Sequence, residues 1–386
     1  MKTYHVNGNR LDMKKHEHPD SDRRNTGFAT LILLLIAGCA PTPVREQTQT
    51  VFYPSLPDTP RIQFLTAISS EEDIGAERNR FREFVTGKSD SQMALARPWD
   101  LDHMLGRLYV SDKTFRRIVV VDLENKRMAL VDNRTGGSLP NPGGIFVDAA
   151  GYKFIADRER GEILVFDQTD AFFRVYAAGP EFKPIDVVAF GDRVFAADVG
   201  TESIRIFNRS SGAVIDTIGA QGEIEGTFRF PTHLTIDGDG SLFVTDFLNF
   251  RVQQFDAHGK FVRTIGEPGD FPGAMPRPKG IDVDRDGHLY VVDSAFEIVQ
   301  IFDIKTGHAL MPFGKFGSIN GGTWLPAGIH IDYDNVAYFS KYLDPNFRAE
   351  YLIYVTNQAG PFKINVYAFG SYVGNGKTVG PSTAQP

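Results

Sequence analysis

The chain has 386 residues, enough for two or three ordinary domains, and carries 41 Lys and Arg against 48 Asp and Glu. Beyond the first 38 residues the balance is 35 basic against 44 acidic, so nothing would track a phosphate backbone and nucleic-acid binding is disfavoured. A single cysteine rules out an intrachain disulfide, a cysteine-rich zinc site and a Cys-x-x-Cys-His haem attachment.

Phe28 to Ile36 is apolar except for Thr30, follows Arg23 and Arg24, and precedes Ala37, Gly38 and Cys39. The run is shorter than the roughly 20 residues that span a bilayer, so it reads as a signal-peptide core over residues 1–38, with Met1 or Met13 as the start. Ile36, Ala37, Gly38 and Cys39 resemble a bacterial lipobox. That resemblance implies diacylglyceryl attachment to the Cys39 sulfur, and Ala40 in place of an Asp implies sorting to the outer membrane. Prolines 41, 43, 54, 57 and 60 among polar residues then mark 39–60 as the lipidated cysteine and an extended tether.

Arg61 to Ile68 alternates as a strand does, and residues 71–86 carry helical spacing with Glu71, Glu72 and Asp73 in the first turn and Gly87 as the stop. From there a unit recurs about every 41 to 48 residues, opening at Pro98, Pro142, Pro184, Pro231, Pro278 and Pro326. Fourteen or fifteen residues after each of the first five prolines stands an acid behind an aromatic and two small or aliphatic residues: Asp112, Asp157, Asp198, Asp246 and Asp293. Nine residues further come Val121, Phe166, Phe207, Phe255 and Phe302. The sixth unit matches best at Tyr354 to Asn357, which makes residues 333–350 an insertion and leaves the unit without a fourth strand. Arg61 to Ile68 can supply that strand and close a ring, removing the edges that a linear stack would expose. The expected fold is therefore an all-β, six-bladed propeller over residues 61–370, closed by the N-terminal strand, with one short helix and a C-terminal tail at 371–386.

The repeat resembles the NHL-repeat propellers; the fourth unit carries Asn249, Arg251, Val252 and Phe255 of that motif, and Ser203, Glu162 and Ile298 depart from it. With its lipobox the chain looks like the bacterial six-bladed propeller lipoproteins. That resemblance implies a protein partner in the cell envelope, with a multihaem cytochrome as one candidate, in addition to the membrane held through the lipid.

An acid that recurs in every unit is expected to serve the blade, accepting backbone N–H groups at the strand end, so Asp112, Asp157, Asp198, Asp246 and Asp293 read as structural. The Asp-x-Asp-Gly turns at Asp237 and Asp284 lack the Glu of a calcium loop and read as hairpins. In the second place after the opening proline three units carry Gly; Asp100, Asp186 and His233 stand there in the other three and are the candidate acid–base or cation-binding residues, against the simpler role of bonding buried backbone. Related propeller lyases bind zinc through histidines directly after such prolines. Here Trp99, Gly143, Ile185, Thr232, Lys279 and Ala327 stand there, so no metal or cofactor is expected. The leading expectation is a lipid-anchored docking module of the outer membrane, and the alternative is a lactonase- or lyase-type enzyme with its site at a mouth of the central channel.

Overall fold

Each opening proline starts an inner strand; the first five sit opposite the acid of their own unit, Pro98 with Asp112, Pro142 with Asp157, Pro184 with Asp198, Pro231 with Asp246 and Pro278 with Asp293, and Pro326 sits opposite Asn357. The computed structural model describes residues 50–76, 93–131 and 137–373. Five antiparallel four-stranded blades follow in chain order, and the sixth sheet combines Pro326–Asp332, Phe347–Asn357 and Ile364–Tyr372 with Ile62–Ile68. Ile62–Ile68 pairs with Ile364–Tyr372 in the outer position, so the two ends of the described chain close the ring. The inner strand of the sixth blade lies beside that of the first, and Thr356 Oγ1 donates to the Trp99 carbonyl across the seam at 2.9 Å.

Burial follows the strand order. The second and third strands of each blade are buried on both faces, as at Leu242–Asp246 and Arg251–Phe255, while an outer strand such as Val214–Ile218 is exposed but for its last residue. Among the described residues the core divides into six apolar clusters, each bridging two neighbouring blades. Tyr109, Ile118 and Val120 of the first blade meet Ile145, Ile155 and Leu164 of the second, and Leu108 and Val110 share the closing cluster with Leu352 and Val366. Burial of apolar area between blades, at roughly 25 cal/mol per Å², holds the ring together, so no blade is stable alone.

Several boundaries differ from the sequence reading. Phe52–Tyr53, inside the stretch read as tether, pairs with Gln63 and Ile62 as a fifth strand, because Phe52 packs on Phe347 and Tyr372. The insertion in the sixth unit spans residues 333–346, since Phe347–Asn357 runs four residues further back, and it holds a short helix at Val336–Phe339. Of the expected helix at 71–86 the described part is a 3-10 turn, Glu71–Ile74, stopped by Gly75 at φ 87°. The last strand reaches Tyr372, two residues into the expected tail. Residues 77–86, the signal segment with Cys39, and the tail beyond Val373 lie outside the described residues. Among the described residues no helix is long and apolar enough to cross a membrane.

Candidate functional site

Successive side chains of a strand alternate in direction, so the second and fourth residues after each opening proline both face the channel. Two rings result. The first comprises Asp100, Gly144, Asp186, His233, Gly280 and Gly328, the second Asp102, Phe146, Val188, Thr235, Asp282 and His330. Most of these residues line one cavity of about 130 Å³.

The three sequence candidates therefore meet in this cavity, and two of them are engaged with backbone. Asp100 Oδ2 accepts from Ile145 N at 3.1 Å, and Asp186 accepts from Leu234 N and Val187 N, both at 2.7 Å. In the second ring Asp102 Oδ2 accepts from Val147 N at 2.7 Å and Asp282 Oδ2 from Ile331 N at 2.8 Å. Acids on the first, third and fifth blades thus each tie down the inner strand of the blade that follows. The glycines make this possible. A Cβ at Gly144 would run into the Asp186 carboxylate, and one at Gly328 would lie 2.5 Å from Asp100 Oδ1.

Burial pushes the Asp100 carboxyl up to about 7 against the pull of the Ile145 N–H, and it raises Asp186 as well, with the Asp100 charge adding to it. His233 is buried with neither ring nitrogen bonded among the described residues, and its ring stacks under Trp99 at 5.5 Å and 16°. Burial, with the charges of Lys279 and Lys113, holds it down at about 3, so it is neutral.

Above Trp99 lies one mouth of the channel. Lys113 Nζ sits 4.7 Å and Lys279 Nζ 5.7 Å from the indole ring, with Arg97, Arg158 and Arg277 close enough to act on them electrostatically. Burial lowers both lysines to about 8. None of these five cations has an ion-pair partner within 4.0 Å among the described residues.

The opposite mouth gathers residues that sequence reasoning did not select. His103 Nδ1 lies 2.6 Å from His330 Nε2, and Asp102 Oδ1 is 3.1 Å from the latter. His103 Nε2 faces Asp332 Oδ1 at 3.2 Å and Asp334 Oδ2 at 3.3 Å, and His330 Nδ1 faces Asp282 Oδ2 at 3.3 Å. Burial disfavours a charged His330, but Asp102, Asp282 and Asp332 outweigh it and push the imidazole up to about 10. Burial raises Asp102 against the pull of His330 and His103. The signal for this group was present two residues beyond the first ring, where Asp102, Asp282 and His330 stand at the positions that hold Phe146 and Val188 in the second and third blades. Of its other members, His103 lies near the end of the first inner strand, Asp332 stands at the repeat position of Asp148, Asp237 and Asp284, and Asp334 belongs to the sixth-unit insertion.

The recurring acids clamp each blade at its start. Asp112 Oδ2 accepts from Ala96 N and Arg97 N at 2.8 and 2.9 Å, while its Oδ1 takes Thr114 N and Phe115 N of the following turn. Asp157, Asp198 and Asp293 repeat the arrangement with Asn141 N, Lys183 N and Arg277 N. Asp246 accepts from Arg229 N at 2.7 Å and from Arg251 Nε at 2.9 Å, and Asn357 Oδ1 takes Trp324 N at 2.9 Å.

Known proteins agree on the architecture. The model of a six-bladed β-propeller family matches residues 237–367. No curated protein sequence matches. A structural-genomics protein of unknown function from Bacteroides thetaiotaomicron is similar at 16% identity and TM-score 0.55, over 80% of this chain and 75% of that one. A streptogramin B lyase aligns at 13% identity and TM-score 0.49 over 72% of this chain and 84% of its own, and a catalytically inactive virginiamycin B lyase from Staphylococcus aureus with quinupristin at 13% and 0.49 over 71% and 95%. At 16% identity the likeness to the Bacteroides protein concerns the fold alone, and the lyase alignments, with TM-scores below 0.5, carry no argument.

Proposed function

We propose that this six-bladed propeller is an NHL-like lipoprotein of a bacterial cell envelope, anchored at the outer membrane through Cys39, that docks an acidic protein partner on the mouth ringed by Arg97, Lys113, Arg158, Arg277 and Lys279. The observation that carries the docking reading is the two lysines on Trp99 with Arg97, Arg158 and Arg277 beside them, none in an ion pair among the described residues, on a chain whose net charge is −7. Two lysines lowered to about 8 by burial keep their charge at some cost, and an incoming carboxylate relieves it. The half-buried indole offers an apolar centre inside the charged rim, the arrangement that protein interfaces favour. The channel acids favour binding over catalysis, because Asp100 and Asp186 spend their oxygens on backbone N–H groups of other residues.

The test is affinity capture from solubilised outer membranes with wild-type protein and with a Lys113→Glu/Lys279→Glu variant. An acidic envelope protein retained by the wild type, released by raised salt and lost in the variant is the expected result. Equal capture by both proteins, or no capture together with turnover of a small lactone or ester, would overturn it. Mass spectrometry of membrane-extracted protein should find a diacylglyceryl group on Cys39, absent from Cys39→Ser.

A further inference from the structure

At the mouth away from Trp99, His103 Nδ1, His330 Nε2 and Asp102 Oδ1 form a triangle with sides of 2.6, 3.1 and 3.7 Å. A point about 1.9 Å from all three corners lies in its plane, so an ion slightly above that plane meets each at the roughly 2.0–2.2 Å that zinc takes to nitrogen and oxygen. The far nitrogen of each ring already faces carboxylates: His103 Nε2 faces Asp332 and Asp334, and His330 Nδ1 faces Asp282. With a proton on each far nitrogen, the two near nitrogens present lone pairs that one metal ion can accept; with one further proton, they share it across 2.6 Å. Either a proton shared between the two rings or a metal ion bound by both nitrogens satisfies this geometry.

We propose that this mouth binds one divalent first-row transition ion through His103 Nδ1, His330 Nε2 and Asp102 Oδ1, with a further coordination position open to solvent. Two imidazoles select such an ion over Ca²⁺ or Mg²⁺, which take oxygen ligands. Asp282, Asp332 and Asp334 orient the rings from behind, as outer carboxylates do for metal-bound histidines. Four carboxylates around two imidazoles also favour a doubly charged ion over a single shared proton. His103 and His330 are each partly exposed, at 16% and 18% for their side chains, and Asp334 is exposed, so an ion can enter from the mouth. His103 and His330 lie 227 positions apart and meet only because the ring closes between the first and sixth blades.

The experiment uses full-length detergent-purified protein stripped with a chelator and titrated with Co²⁺. The expected result is one equivalent bound with a visible d–d band of a low-coordinate ion, bleached by Zn²⁺ and unaffected by Ca²⁺. His103→Ala and His330→Ala should abolish the band, Asp334→Asn should weaken binding about 10-fold, and His258→Ala, in an exposed turn, should leave it intact. Far-UV circular dichroism checks that each variant is folded, and His103→Gln replaces His103→Ala if the latter is not. No band in the wild type, or a band that survives in folded His103 and His330 variants, would refute the site and leave a proton-sharing histidine pair.

Discussion

Gly144→Ala tests whether the channel is held by glycine and acid side chains that fit against one another across blades. Gly144 has no positive φ that alanine would strain, so the substitution acts only through space. Its new methyl falls on Asp186 Oδ1 and 3.0 Å from the Asp186 Cα. The carboxylate must leave, abandoning Leu234 N and Val187 N, each a buried donor then left without its acceptor at about 1–3 kcal/mol. Overpacking adds about 1–3 kcal/mol, so the variant should lose roughly 4 kcal/mol in urea unfolding followed by circular dichroism. Asp186→Gly alone should lose about 3 kcal/mol by the same loss of acceptors. In the double variant the carboxylate is already gone, and only the tight approach to the residue 186 backbone remains, adding about 1 kcal/mol. The two losses should therefore fall short of additivity by about 3 kcal/mol. Additivity within about 0.5 kcal/mol, the behaviour of independent sites, would show that the two residues do not share this space.

Other consequences follow from the same geometry. Asp100, raised to about 7 by burial, binds a proton in the folded state that the unfolded chain has released above its ordinary value. Its contribution to stability is fully present below about pH 4 and is lost as pH rises towards 7, at up to about 1.4 kcal/mol per pH unit. Asp100→Asn should accordingly gain on the wild type between pH 5 and pH 8 in urea midpoint, and a constant difference would contradict the reading. His233 works in the opposite direction: held down at about 3, it stays neutral in the fold, so stability falls as pH drops from about 6.5 towards 3 while the unfolded chain takes up a proton. His233→Phe removes two unbonded buried nitrogens and keeps the stack on Trp99; it should raise stability by about 1 kcal/mol at pH 7 and by more at pH 5. A loss at both pH values would mean that those nitrogens have partners. Deleting residues 50–68 removes Phe52–Tyr53 and Ile62–Ile68 and opens the edge of Ile364–Tyr372, so the product should aggregate or lose its cooperative unfolding transition, whereas a monomer with the wild-type midpoint would show that these strands do not close the ring.

The architecture could be read from the chain because its signals are local and repeated. A proline that starts a strand, an acid that accepts the N–H groups before it, and a glycine turn between them each depend on a few neighbouring residues, so six copies can be aligned without knowing where any lies in space. The same ruler placed Asn357 opposite Pro326 and gave Ile62–Ile68 its partner. It also brought Asp100, Asp186 and His233 to one cavity, since every second residue of an inner strand faces the channel.

What those three residues do there was decided by the tertiary structure alone. Asp186 is committed to backbone because blade four presents Leu234 N to it, and the space for that contact exists only where Gly144 lacks a side chain. The His103 and His330 pair is less legible still: one residue lies near the end of the inner strand of the first blade, the other within that of the sixth, and Asp334 belongs to an insertion with no counterpart in the repeat. Sequence determined the unit, its count and its closure, because these rest on short-range backbone requirements. Closure decided which ionisable groups become neighbours, because the distance between the first and last blades is a property of the ring and of no segment within it.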